Sequence, residues 1–312
     1  MSLPNSVLQD RAQMLGAVRA FFAARDVLEV DCPLLSRYPS IDAHIDLISA
    51  TYQQNTSCYL HSSPEYGMKR LLSSGSGDIY QLSHVFRDGE YGSRHNPEFM
   101  MAEWYRIGWS LDQLIAEAAD FCRLFLGSLP LRVISYRQLF KDFCHIDCAE
   151  EPLEKLQTTV EKQGLPKAQE LDRDTCLQLI LQQEIEPCLG KNEIVAVTNY
   201  PASQAALAQT TIEKGQLVAR RFELYHEGVE LANGYHELGD AQEQYQRFQN
   251  ENRHREELGK KPLGPIDERF LKALERGLPD CCGVAVGFDR LMMLRHKQTS
   301  LRDIMPFVWD TA

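Results

Sequence analysis

Residues 79–107 read IYQLSHVFRDGEYGSRHNPEFMMAEWYRI, and this stretch decides the fold. Residues 79–87 and 98–107 carry the β-branched and aromatic side chains of two strands. The link between them, 88–97, is polar and contains glycine, which predicts an antiparallel pair closed by a long loop. Arg87, Arg94 and His95 make this hairpin a candidate phosphate grasp, because the planar fork of arginine holds oxyanions with paired hydrogen bonds. A solvated hairpin with ordinary surface charges is the plainer reading of the same residues. On the second strand Phe99, Glu103 and Tyr105 share one face under two-residue alternation. That mixture suits a pocket floor better than an apolar core, because a buried carboxylate needs a partner. A wet sheet face is the competing reading.

Outward from the hairpin, residues 6–24 read as an amphipathic helix through Leu8, Leu15, Val18 and Phe22. A short strand is expected over 28–32, ending at Pro33. Ser62, Ser63 and Pro64 mark a helix start, with serine as cap, proline at the first helical position and Glu65 at the positive end. Residues 111–190 read as mostly helical. Further strands are expected over 193–199, 220–225 and 229–233, and helices over 240–258 and 266–276. A strand over 283–287 then enters a helix at Phe288. Strands early, helices inserted and strands late imply an α+β plan, an antiparallel sheet flanked by helices.

Two further constellations carry chemistry. Residues 222–234 read FELYHEGVELANG; a hairpin turning at 226–228 brings Glu223 and Glu230 roughly opposite each other. Opposed like charges destabilise a strand pair, and a divalent cation held by hard oxygen ligands removes that cost. One glutamate turned to solvent is the plainer alternative. Residues 283–290, GVAVGFDR, form a small-residue strand that a ligand can approach closely. Arg290 then falls in a first helical turn, where a cation is mildly unfavourable, and this local inconsistency hints at a ligand.

The bulk composition narrows the function. A formal net charge of −11 over 312 residues makes a poor generic nucleic-acid binder. No N-terminal stretch reads as a signal peptide, and no run reaches the about 18 apolar residues of a membrane helix, so a cytoplasmic protein is expected. Nine scattered cysteines show no zinc spacing and read as free thiols.

The three constellations together resemble the three signature motifs of class II aminoacyl-tRNA synthetases. Motif 1 lies over 21–34 with Pro33, motif 2 over 86–105 and motif 3 over 283–294. The similarity is closest to the lysyl branch, through Ser63-Pro64-Glu65, residues 94–99 and residues 230–234. Two departures resemble the truncated paralogues of that branch. Motif 1 begins too early for an anticodon-binding barrel to precede it, and Ala285 stands where lysyl-tRNA synthetases usually carry glycine.

The resemblance implies one catalytic domain over 1–312, a homodimer built through motif 1, and ATP with Mg2+. It implies activation of (R)-β-lysine, and less well α-lysine, as an adenylate. The acceptor would be a lysine side chain of elongation factor P, with no stable tRNA binding. A truncated lysyl-tRNA synthetase and a non-catalytic regulatory subunit are the alternatives; modules of the last kind tend to lose the motif arginines, and Arg87 and Arg290 are present.

By the same resemblance, Glu65 holds the amino group near the reacting carboxylate, with Ser63 and Pro64 also binding substrate. Glu103, Tyr105 and Glu237 surround the ε-ammonium, and Asn233 and Ala285 line the substrate. Arg87 binds the α-phosphate and carboxylate. Asp88, Gly89, His95, Asn96, Glu230, Leu231 and Gly287 occupy ATP-contacting positions. Phe99 stacks on adenine opposite Arg290, and Glu223 and Glu230 carry magnesium. The usual Phe-Arg-x-Glu of motif 2 is here Phe-Arg-Asp-Gly-Glu, so that contact falls either to Glu90 or to a backbone group at Gly89.

Overall fold

A computed structural model describes residues 3–165 and 167–312. The chain begins with α1 (Asn5–Ala23), β1 (Leu28–Glu29), β2 (Leu35–Ser36), β3 (Ser49–Tyr52), β4 (Thr56–Leu60) and α2 (Glu65–Leu72). The hairpin strands β5 (Ile79–Phe86) and β6 (Glu98–Ile107) precede α3 (Leu111–Leu126). Then come β7 (Leu131–Ser135), α4 (Tyr136–Cys144), α5 (Leu153–Lys162), α6 (Arg173–Ile180), β8 (Ile194–Pro201), β9 (Thr210–Glu213), β10 (Gln216–His226) and β11 (Val229–His236). The last elements are α7 (Ala241–Glu257), α8 (Glu268–Gly277), β12 (Cys281–Gly287) and α9 (Phe288–Arg295). The chain divides into two compact units: residues up to Gly127 with Glu237–Ala312, and Ser128–His236.

In the first unit β1 runs parallel to β5, and β5, β6 and β12 pair antiparallel in that order. A small antiparallel sheet places β4 between β2 and β3. In the second unit β11, β10 and β8 are antiparallel, β7 joins β8 in parallel, and β9 pairs with β10. The α+β plan is therefore present, with mostly antiparallel strands and helices packed beside them. The strand β7 interrupts a stretch expected to be helical. The helix expected to open on Pro64 opens instead at Glu65, with Pro64 as the flanking residue and the Ser63 hydroxyl accepting the Glu65 N–H at 3.0 Å.

The central strand β6 positions the site. Residues 101–106 of it are all buried, so both of its faces are covered. One face meets aromatic side chains of α1 and α3: the Trp104 ring lies 5.2 Å from Phe22 and 5.1 Å from Phe121. Fully burying side chains of this size stabilises by about 1.5–3 kcal/mol each. A Ser110–Gln113 capping box fixes the start of α3. Arg106, on the same face, donates from Nε to Glu117 at 3.0 Å and from Nη1 to Asp78 at 3.0 Å, while Trp104 Nε1 donates to Glu117 at 2.9 Å. The opposite face of β6 carries Glu103 and Tyr105. Among the described residues no helix is long and apolar enough to cross a membrane.

Truncating Glu117 would leave Asp78 as the remaining carboxylate partner of the buried Arg106 and take the acceptor from Trp104 Nε1, and breaking such a buried pair costs about 3–5 kcal/mol. Glu117→Ala is therefore expected to lower the urea midpoint sharply, and Glu117→Gln, which keeps an acceptor, much less.

Candidate active site

Helix α2 sets Glu65 and Lys69 one turn apart on the same side. Lys69 is fully buried; its Nζ lies 2.5 Å from Glu65 Oε1 and 2.6 Å from Glu237 Oε2. Glu237 opens the second segment of the unit, where its backbone N–H donates to Cys281 at 3.0 Å. From β6, Glu103 accepts from the Tyr105 hydroxyl at 2.7 Å and from the Ser63 hydroxyl at 2.6 Å. The substrate-face residues read from the sequence, Ser63, Glu65, Glu103, Tyr105 and Glu237, thus converge in one polar cluster, with Pro64 at the foot of α2.

The strand β12 makes the floor. Gly283 pairs with Tyr105, Ala285 with Glu103 and Gly287 with Met101, so three small residues share the face of the carboxylates. A Cβ on Gly283 would fall 2.4 Å from Glu237 Oε1 and 2.4 Å from the Tyr105 ring. At Gly287 a Cβ would meet only the Arg290 side chain, at 3.8 Å. The first glycine is required by the pocket itself; the second leaves the backbone open to close approach.

Burial, and then the charge of Glu65, push the Glu103 carboxyl up to about 7. Burial likewise raises Glu237 to about 8, with Lys69 opposing and Glu65 reinforcing the shift. Burial works to lower the Lys69 ammonium, but the charges of Glu237 and Glu65 outweigh it and hold it above its usual range.

The motif arginines lie on the same unit. The Arg87 backbone N–H donates to Pro97 at 2.9 Å, closing the hairpin loop. Its guanidinium sits 5.1 Å from the Phe99 ring centroid and 3.5 Å from Glu90 Oε1, so Glu90, not Gly89, is the residue brought to it. Gly89 instead turns the loop at φ 74°, and the Asp88 N–H donates to Asp46 at 2.8 Å. Arg87 Nε is buried with no hydrogen-bond partner among the described residues, a donor that suits a phosphate or carboxylate oxygen.

Arg290 donates to His95 Nε2 at 2.9 Å, which requires the neutral ring. Packing and then the Arg290 charge hold His95 below its usual range. Asp289 anchors the start of α9 through Arg11 at 2.5 Å and the Met100 N–H at 2.7 Å. Asn96 has both amide atoms engaged within the protein, donating to Glu98 at 2.6 Å and accepting the Trp309 N–H at 3.0 Å.

In the second unit the expected register of Glu223 and Glu230 is corrected. A bulge between Leu224 and Tyr225 leaves Leu231 unmatched, so Glu230 lies opposite Tyr225 and Asn233 opposite Glu223. The two carboxylates are diagonal neighbours on one face rather than directly opposed. Glu223 is neutralised within the unit: Arg221 and the Tyr225 hydroxyl donate to it, as does the Tyr200 hydroxyl at 2.6 Å. Opposed charge on this strand pair therefore does not itself call for a cation. The chemistry of the donors remains hard oxygen. Among the described residues no group of three or more His, Cys, Asp or Glu could hold a metal, so a cation here would need phosphate oxygens as well, which is how magnesium is ordinarily bound. Asn233 Oδ1 is buried without a partner among the described residues.

Sequence reasoning missed Lys69 and Arg221. Each has a local signal: Lys69 stands four residues from Glu65, and Arg221 two residues from Glu223 on one strand face.

The chain is similar to known proteins along nearly its whole length. Residues 4–311 match the family model described as class II tRNA synthetases (D, K and N). The chain is 44% identical to a protein of Salmonella gallinarum named elongation factor P–(R)-beta-lysine ligase, over 100% of this chain and 97% of that one. It is 43% identical to a protein of the same name from Haemophilus influenzae strain PittGG, over 98% and 95% of the two chains. A Pasteurella multocida protein of that name is 42% identical over 97% and 94%.

Two outcomes are expected. Gly283→Ala should disorder the carboxylate cluster, seen as loss of amino-acid binding in calorimetry while the protein stays folded. The raised Glu103 pKa makes its protonated form the one the fold favours; that contribution is full below the unfolded value near 4.3 and is lost as pH rises through about 7. Glu103→Gln should therefore raise the melting temperature of the ligand-free protein at pH 8.5 and leave it nearly unchanged at pH 5.

Proposed function

The chain belongs to the class II tRNA synthetase family, and from that premise we propose that it is an ATP-dependent, AMP-forming ligase. It activates (R)-β-lysine, and less well α-lysine, and transfers the acyl group to a lysine side chain of elongation factor P. The convergence of the buried Glu103 and Glu237 with the half-buried Glu65 in one cluster carries this reading, because carboxylates so enclosed call for a cationic ligand. The names of the relatives supply the acceptor.

In the first step an oxygen of the amino-acid carboxylate attacks the α-phosphorus of ATP, the bond to the β-phosphate breaks, and pyrophosphate leaves. In the second the acceptor amine attacks the acyl carbon, the acyl–oxygen bond breaks, AMP leaves and the amine loses a proton to solvent. No side-chain nucleophile is required. Arg87, with its unpartnered Nε, would hold the reacting carboxylate and α-phosphate, and Arg290 the nucleotide. Glu223 and Glu230 are the carboxylates that would hold Mg2+, which neutralises phosphate charge when bound. Glu103, Tyr105 and Glu237 would read the ε-ammonium and reject analogues lacking it, since their buried groups would be left unpaired. The Ala285 methyl, on the face of Glu103, would shape the floor at the other amino group.

Acceptor-dependent AMP release with radiolabelled (R)-β-lysine tests the reading. Label on elongation factor P and none on bulk tRNA is expected; label on tRNA would make the chain a tRNA-charging enzyme. Arg87→Ala should lower amino-acid-dependent pyrophosphate exchange about 100- to 1000-fold, the usual effect of removing one such donor. Ala285→Gly should shift the β- over α-lysine ratio by about 10-fold or more, as a one-carbon change in a pocket does. An unchanged ratio would remove Ala285 from the specificity argument.

A further inference from the structure

We propose that Lys69 is a built-in counter-cation that fixes the net charge of the amino-acid pocket and thereby selects substrates bearing two ammonium groups. The proposal rests on the reading of this cluster as the amino-acid site. Three carboxylates, Glu65, Glu103 and Glu237, converge on it, and Lys69 alone among the cluster's own side chains is cationic. Lys69 bridges two of the carboxylates, at 2.5 and 2.6 Å, from a fully buried position at which it cannot reach solvent. Three anions and one cation leave two negative charges. A diamino acid supplies two positive charges. A monoamino acid supplies one, and would leave a buried carboxylate without a partner, at a cost.

Among the described residues, the Tyr105 hydroxyl and the Cys32 and Cys281 thiols also face the cluster, and they carry no charge at neutral pH. Burial raises the Tyr105 hydroxyl and the Cys281 thiol well above their usual ranges, and pushes the Cys32 thiol up to about 11. Asp31, Arg70 and Asp280 act on the two thiols from farther out. The count of charges therefore belongs to four side chains. A lysine serving only to brace α2 would need one partner, Glu65, four residues away on its own helix. The reach to Glu237 is what ties it to the pocket.

The consequence is coupling between protons and substrate. Glu103 and Glu237, raised toward neutral pH, take up protons when the pocket is vacant and lose them to a dication. Lys69 lowers both values, so its removal displaces that coupling upward in pH.

The test measures the KM for lysine in pyrophosphate exchange between pH 6 and 9.5, with norleucine as the monoamino competitor of similar shape. In the wild type the KM falls as pH rises through the 7–8 region. Lys69→Met should move that midpoint up by at least one pH unit, with the KM for ATP changing less than twofold. Glu237→Gln should lower the preference for lysine over norleucine, and adding Lys69→Met should restore it at least tenfold, because two negative charges are recovered. A bracing role predicts the reverse: the double variant worse than either single one and an unmoved midpoint, and that result overturns the proposal. If Lys69→Met does not fold by itself, the double variant decides, since a preference for lysine no better than that of Glu237→Gln overturns the proposal.

Carbon-13 NMR of the glutamate carboxyls in the ligand-free protein separates this proposal from the functional reading beneath it. Absence of exchange with any diamino acid would end that reading. A Glu103–Glu237 titration that fails to move in the Lys69 variant would end this one.

Discussion

Two buried carboxylates and a half-buried one around one buried ammonium form the constraint on which the first unit depends. Placing such charges out of water is costly unless each is met by an opposite charge or a hydrogen bond. The surrounding residues are those that meet this need. Ser63 both receives the first N–H of α2 and gives its proton to Glu103, which ties the helix start to the central strand. Tyr105 completes the other side of Glu103, and Gly283 has no side chain because Glu237 and Tyr105 occupy that space. One strand, β6, serves two opposite purposes through its pleat. Trp104 faces an aromatic core, and its neighbours Glu103 and Tyr105 face the site.

The hairpin over 79–107 was legible almost residue for residue, because alternation, aromatic content and a polar glycine-bearing link agree there. The shared face of Glu103 and Tyr105 followed from the two-residue period alone. The Glu223–Glu230 relation was not legible. A single extra residue at Leu231 shifts every pairing beyond it, and nothing in FELYHEGVELANG announces a bulge. Lys69 was hidden for another reason. A lysine on an amphipathic helix ordinarily snorkels to solvent, and only the tertiary position of Glu237, far along the chain, shows that this one is enclosed. Asn96 illustrates the opposite case. Its place in the motif suggested a ligand contact, whereas its amide is engaged with Glu98 and Trp309.

The two arginines act from differently prepared settings. Arg87 lies near the Phe99 ring with an ion pair to Glu90 at 3.5 Å and an Nε without a partner among the described residues, so a ligand can recruit it with little rearrangement. Arg290 rests on a neutral His95, a partner that accepts a hydrogen bond without cancelling the positive charge. Arg87 thus keeps a donor for an incoming anion. The contrast is Arg221, whose charge is matched by Glu223 and whose role is to hold a carboxylate still.

The repulsion stored among Glu65, Glu103 and Glu237 also bears on the life of the molecule between turnovers. Whatever fills this cluster binds the folded chain and not the unfolded one, and so adds to its stability by mass action. The empty protein is its own most fragile form. Its resistance to heat and proteases is therefore set in part by how fully the cluster is occupied.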